Sequence, residues 1–325
     1  MKKKTVALLT TMLLVLSAFL AACGSSEGGN GSGGEGNPEF ISMVTGGTGG
    51  TYFPLGGTFA KQIEDATGIT TNSVTSGASA ENMATLQKEE AEIAFTQTDI
   101  ASYALKGELM FDGNKVENVQ AIGALYPETI QIVTTAKSGI TSVEDLKGKV
   151  VSVGEAGSGT LANAEQILEV HGLTTDDLDA RNLSFADSTT GLQDGTIDAA
   201  FITSGTPTGA VEGLAATVDV VIVPVEDAKA DELIKKYPYY AKEVVPNGTY
   251  GLTSEVATVA VQAMLVTRSD LSEDLVYEIT KAIFDNTDKI EHAKGELIKA
   301  ENALNGVGID IHPGAKKYFE EKGVK

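Results

Sequence analysis

An α/β fold in two lobes joined by crossing strands is the class predicted by this 325-residue sequence. Three observations carry that prediction. Apolar or β-branched runs alternate with helically spaced segments over 40–135, and again over 149–237. In both series a strand ends in a Gly/Ser/Thr loop that opens a helix. Two apolar stretches, 129–136 and 258–267, fall where the chain would pass from one lobe to the other.

The first element lies ahead of that fold. Lys2-Lys3-Lys4 precedes an apolar run that ends in small residues at Ala21-Ala22-Cys23. This is the anatomy of a secretory signal, and the run is short of the roughly 20 apolar residues of a membrane span. Leu20-Ala21-Ala22-Cys23 resembles the bacterial lipobox. The resemblance implies cleavage before Cys23, a lipid on that residue and a tether to the outer face of the cell membrane. Cys23 is the only cysteine, so the fold must rest on its core without a disulfide. Residues 24–38 are rich in glycine and serine, a flexible coil with a reach of roughly 20 Å. Residues 1–22 are thus read as the signal peptide and 23–38 as a linker.

The folded part starts with a strand at 40–44, a glycine-rich loop and a helix over 52–67 that places Leu55, Phe59 and Ile63 on one face. A β-branched strand is predicted at 70–75, a helix at 80–88, and strands at 93–95, 119–126 and 130–135. The second series gives strands at 149–153, 180–185, 197–202 and 218–223, with helices at 160–171, 189–194, 207–215 and 228–237. The apolar segment 256–267 is long enough to cross between lobes, 271–285 is an amphipathic helix, and the charged C-terminal stretch is helical. The alternation argues a mostly parallel sheet. Strand order assigns 39–132 with 264–325 to lobe I and 133–263 to lobe II.

Net charge is −21, and −24 once Lys2, Lys3 and Lys4 are gone. So acidic a surface excludes nucleic acid as a partner and is not drawn to anionic lipid, which gives a covalent lipid its purpose. Arg181 and Arg268 are the only arginines, so a bidentate clamp on an anion must use one of them or none. His171, His292 and His312 are scattered, and no Cys/His cluster suggests a metal or cofactor.

Chemistry concentrates in the strand-to-helix loops. Gly46-Gly47-Thr48-Gly49-Gly50-Thr51 exceeds what a tight turn needs, and glycines let a backbone approach a ligand closely. Ser76-Gly77-Ala78-Ser79-Ala80-Glu81-Asn82 repeats the device, although either serine could simply cap the helix. Phe95-Thr96-Gln97-Thr98-Asp99 ends a strand where open α/β sheets bind ligands. Tyr126-Pro127-Glu128 borders the first crossing. In Gly154-Glu155-Ala156-Gly157-Ser158-Gly159-Thr160, Thr160 stands where a P-loop requires lysine, and Ala156 and Thr160 replace the flanking glycines of a nucleophile elbow around Ser158. An anion cradle at a helix N-terminus remains. Thr203-Ser204-Gly205-Thr206-Pro207 ends a further strand, with Pro207 suited to a first helical position.

Together these loops resemble the TAXI branch of solute-binding proteins that serve TRAP transporters. The resemblance implies a two-lobe periplasmic-binding-protein fold with no enzymatic activity and no cofactor. It further implies a small glutamate- or 2-oxoglutarate-like carboxylate as solute and a sodium-driven permease as partner. The expected ligand contacts are Thr48, Gly49, Thr51, Tyr52, Ser76, Ser79, Asn82, Gln97 and Tyr126 from lobe I, and Ser158, Gly159, Thr160 and Thr206 from lobe II. Two alternatives stand beside it: a secreted α/β hydrolase using Ser158, and a binding protein of the same fold that serves an ABC importer.

Overall fold

The computed structural model describes residues 37–324. Cys23, the signal peptide and nearly all of the linker lie outside them. Among the described residues no helix is long and apolar enough to cross a membrane.

Strand β1 (Phe40–Val44) buries Ile41 and Met43, and helix α1 (Tyr52–Thr67) buries Leu55, Phe59 and Ile63 on the face the spacing predicts. The helix stops at Gly68, whose φ of 72° only glycine adopts freely and whose N–H closes the last turn on Glu64. Next come β2 (Thr70–Val74), α2 (Ser79–Gln87), the fully buried β3 (Ile93–Gln97) and α3 (Thr98–Lys106). Strand β4 (Val119–Thr135) runs unbroken for 17 residues. The second series holds β5 (Val150–Ser152), α4 (Gly159–Val170), β6 (Asp179–Arg181), α5 (Phe185–Asp194), β7 (Ala199–Ser204), α6 (Gly209–Ala215), β8 (Val220–Val223), α7 (Asp227–Lys236) and β9 (Ala241–Val245). Strand β10 (Val256–Arg268), α8 (Glu273–Phe284) and α9 (Pro313–Glu321) complete the fold.

The strands form one mixed sheet in the order β2-β1-β3-β10-β4-β7-β5-β6, with β8 also on β4 and β9 on β10. Its flanks, β2-β1-β3 and β7-β5-β6, are parallel. β4 and β10 run antiparallel to every neighbour, so the mostly parallel sheet expected is found only in the flanks. These two strands are the crossings. The C-terminal half of β10 pairs with β3, its N-terminal half with β9, and β4 pairs with β7 and β8 through residues 129–135. One large core draws on residues from 41 to 126 and from 263 to 319, another on residues from 130 to 261.

Local differences have physical causes. Pro127 does not split β4 in two, because it lies opposite Gln262 beside a register shift, where a missing N–H is tolerated. Helix α5 begins at Phe185, four residues before the predicted start, because Ser184 caps it by accepting from the Asp187 N–H. The Thr206–Pro207 bond is cis, and α6 starts only at Gly209, so Pro207 is not its first residue. The C-terminal stretch passes through short 3₁₀ turns before α9 rather than forming continuous helix.

Candidate functional site

The loop after β1 and the loop after β5 meet face to face. On one side, Gly49 packs so closely on the second series that a Cβ there would sit 3.1 Å from the Ala210 Cβ. The Gly49 carbonyl accepts the Ala210 N–H at 3.1 Å. On the other side, Gly154 and Gly157 carry φ of 90° and 81°, which turn the chain into α4. The Gly157 carbonyl accepts the N–H groups of Ala80 and Glu81 at 3.0 and 3.1 Å. Thr51 donates its N–H to Ser204 Oγ at 3.2 Å, and the two hydroxyls share a hydrogen bond at 3.0 Å. The two series therefore touch around a narrow cleft, with a cavity volume of about 40 Å³.

Glu128 of β4 lies in the wall of that cleft and is only 2% exposed. The Tyr52 hydroxyl donates to its Oε2 at 2.6 Å, and the Tyr52 ring stacks on Phe95 at 4.9 Å. Burial pushes the Glu128 carboxyl up to about 8, with the nearby Asp99 charge adding to the rise and the Tyr52 hydrogen bond opposing it. Burial likewise raises the Tyr52 phenol well above its usual range. Glu155 enters from the second series. Its carboxyl is raised by partial burial and by the charges of Glu81 and Asp187. Gln97, at the end of β3, donates its Nε2 to Asn163 Oδ1 at 3.2 Å and lies flat over Gly159, where a Cβ would meet Gln97 Oε1 at 1.8 Å. That Oε1 is buried and has no hydrogen-bond partner, as is true of Thr203 Oγ1 on the opposite wall.

No lysine or arginine lines the cleft. Arg181 pairs with Asp179 on the exterior, and Arg268 pairs with Asp270 and Glu92. The arginine clamp is thus absent from the cleft, and two carboxyls that were outside the expected contact set stand in it.

Seven expected contacts line the cleft: Thr51, Tyr52, Ser79, Gln97, Ser158, Gly159 and Thr160. Six do not. Thr48 is exposed at the loop tip, and Gly49 serves the contact with Ala210. Ser76 donates to Asn82 Oδ1 at 2.6 Å, while Asn82 Nδ2 donates to the carbonyls of Thr45 and Phe95. Both residues fasten loops together behind the cleft. Tyr126 is buried behind the wall, and Thr206 lies beyond Thr203 and Ser204, which line the cleft in its place. Ser158 Oγ accepts the Leu161 N–H at 3.1 Å as the cap of α4, and the cleft lining contains no histidine. The hydrolase alternative therefore lacks a histidine base beside its nucleophile. Nine further lining residues were not in the expected set, Glu128, Glu155, Phe185, Thr203 and Ser204 among them. A signal for one existed, since Glu128 is the single charged residue in a 17-residue strand.

The fold is shared with several solved structures. A Bordetella bronchiseptica RB50 protein aligns with a TM-score of 0.55 at 18% identity, over 87% of this chain and 82% of the other. PhnD1 from Prochlorococcus marinus in complex with methylphosphonate aligns with a TM-score of 0.53 at 11% identity, over 88% and 98%. The alkanesulfonate-binding protein SsuA from Xanthomonas axonopodis pv. citri, bound to MOPS, aligns with a TM-score of 0.50 at 12% identity, over 88% and 84%. The architecture is thus that of two-lobe periplasmic binding proteins. The TAXI assignment is corrected by the family match, which is to a different family. The match to that family extends over residues 43–323, and the chain belongs to the NMT1-like family.

Proposed function

We propose that this protein is the extracytoplasmic binding component of an ABC-type importer and captures a small polar solute between two lobes. The observation that carries the proposal is the cleft itself, lined by loops from both strand series that hydrogen-bond to each other around it. The separate cores support lobes at 39–132 with 264–325 and at 133–263, hinged on β4 and β10. A solute that touches both walls favours the closed arrangement by its extra contacts there, and the permease would read that closure. The contacts proposed are Thr51, Tyr52, Ser79, Gln97 and Glu128 on one side and Ser158, Gly159, Thr160 and Ser204 on the other.

A carboxylate on the solute has a place in this scheme. The first turn of α4 and the glycine loop offer backbone N–H groups to one such group. Glu128 and Glu155, with no cationic side chain among the lining residues, disfavour a second. The lipobox resemblance at Cys23 supports a lipid anchor on the outer face of the membrane, with the glycine-rich linker as leash.

Thermal-shift screening of small polar solutes tests the capture. Wild type is expected to show a saturable rise in melting temperature with a subset of them. Gly159→Ala, whose methyl would collide with Gln97, is expected to lose that rise. No response to any solute in the wild type would contradict the proposal.

A further inference from the structure

We propose that Glu128 recognises an ammonium group on the solute, and that the arriving ammonium displaces a proton from it. This rests on the capture reading above and names the chemical class of its solute. Two acceptors converge on the cleft. Glu128 Oε2 receives only the Tyr52 hydroxyl, and Gln97 Oε1 is buried with nothing donating to it. No lysine or arginine lines the cleft to answer the carboxylate. A carboxylate in such a place is costly unless it is paired. It has two remedies: it can hold a proton, or it can take a cation from the solute.

The groups around Glu128 favour the first remedy when the cleft is empty. Tyr52 from α1 and Tyr126 from β4 itself stay neutral because burial raises both phenols. Gln97 from β3 is uncharged, and its side chain, like the Tyr52 hydroxyl, favours the ionised carboxyl without outweighing burial. Val261 of β10 lies opposite, and Thr203 and Ser204 of β7 carry no charge. Asp99 at the start of α3 and Glu155 across the cleft are acids, so both add to the pressure. With a solute ammonium in place the balance reverses. The Glu128 O–H bond breaks, its proton passes to water, and the ammonium donates to the new carboxylate and to Gln97 Oε1. One proton is released and one ion pair is formed.

The sign of the pH dependence follows. The free carboxyl holds its proton below about 8, whereas the complex needs it ionised. Affinity for an ammonium solute should therefore rise about tenfold per pH unit up to that point and then level off.

The experiment uses the full chain and a paired panel: amino acids and simple alkylamines against the corresponding 2-oxo acids and carboxylic acids. Thermal shift identifies binders. Calorimetry of the strongest, in buffers of differing ionisation enthalpy, counts protons. Expected are hits among the amines, close to one proton released at pH 6.5, and a release that falls away by pH 9. Glu128→Gln should bind ten- to a hundredfold more weakly and release none. Should that variant fold poorly, the proton count on wild type still decides. Hits confined to amine-free acids would overturn the assignment. So would amine binding without proton release, binding that requires sodium ions instead, or wild-type affinity in Glu128→Gln. No hit in either half of the panel would overturn the capture reading itself.

Discussion

Two buried acids stand at the meeting of the two strand series, and they are provided for differently. Asp99 is 0% exposed and Glu128 2% exposed, so burial does not separate them. Asp99 sits in the first turn of α3, where the Ile100 N–H stabilises its charge, and accepts from Asn163 Nδ2 at 3.1 Å. Asn163 also donates to the Tyr240 hydroxyl, Tyr240 to Gln166, and Gln166 to the Tyr103 hydroxyl. Burial still raises Asp99, but only to about 6, against about 8 for Glu128. Glu128 has one tyrosine hydroxyl and then open cleft. The contrast is one of surroundings: Asp99 has Oδ2 tied into the Asn163 network and Oδ1 buried without a partner, whereas Glu128 borders the cleft, where a solute can supply one.

The largest effect should come from the acid with the built-in partners. Asp99→Leu would strand the Asn163 amide and its neighbours, and is expected to destabilise the protein by about 2–3 kcal/mol in urea unfolding. Wild-type stability in that variant would break the comparison. Glu128→Gln should do the opposite: ligand-free stability is kept or raised at pH 8, while solute affinity falls by about 1.5–3 kcal/mol in calorimetry.

The pH dependence of stability sharpens the same contrast. Both folded carboxyls lie above their unfolded values, so the folded state binds protons more tightly. Their contribution is fully present below about pH 4 and is lost as pH rises, through about 6 for Asp99 and about 8 for Glu128. Melting of the ligand-free protein should therefore fall between pH 6 and 8 in wild type and stay flat there in Glu128→Gln. The decline below pH 6 should persist in that variant. An unchanged wild-type profile between pH 6 and 8 would place the Glu128 titration elsewhere.

The smallest effect belongs to a cleft residue that behaves like Asp99. Ser158→Ala removes the cap of α4 and should cost about 1 kcal/mol of stability. Its melting curve separates scaffold polarity from recognition polarity within a single loop.

Much of the scaffold was legible in the chain. The period of Leu55, Phe59 and Ile63 located α1, and the long apolar run before Arg268 located β10. The loops around Gly46, Ser79, Gln97 and Ser158 were singled out as ligand-facing, and the fold brings all four to one cleft. What failed depended on tertiary partners. Pro127 argued for a break in β4 because the register shift that accommodates it is set by β10, far along the sequence. Asn82 looked like a ligand contact because its amide is polar and follows a polar loop, and only the fold shows that it is consumed by Thr45 and Phe95. Glu128 was noticed beside the crossing but not chosen, since its isolation from any cation is a property of burial and not of spacing. The TAXI resemblance erred one level above the fold. Glycine-rich strand-to-helix loops are a device of the two-lobe architecture, and they do not encode which permease the protein serves.

The most direct measurement is a crystal structure of the complex with whichever solute the screen identifies. The account predicts solute density between the loop at 46–51 and the start of α4, touching both walls, with an amine nitrogen within hydrogen-bonding distance of Glu128. Density at another surface of the molecule would contradict capture in the cleft. Density in the cleft with no solute nitrogen on Glu128 would contradict the role assigned to that carboxyl.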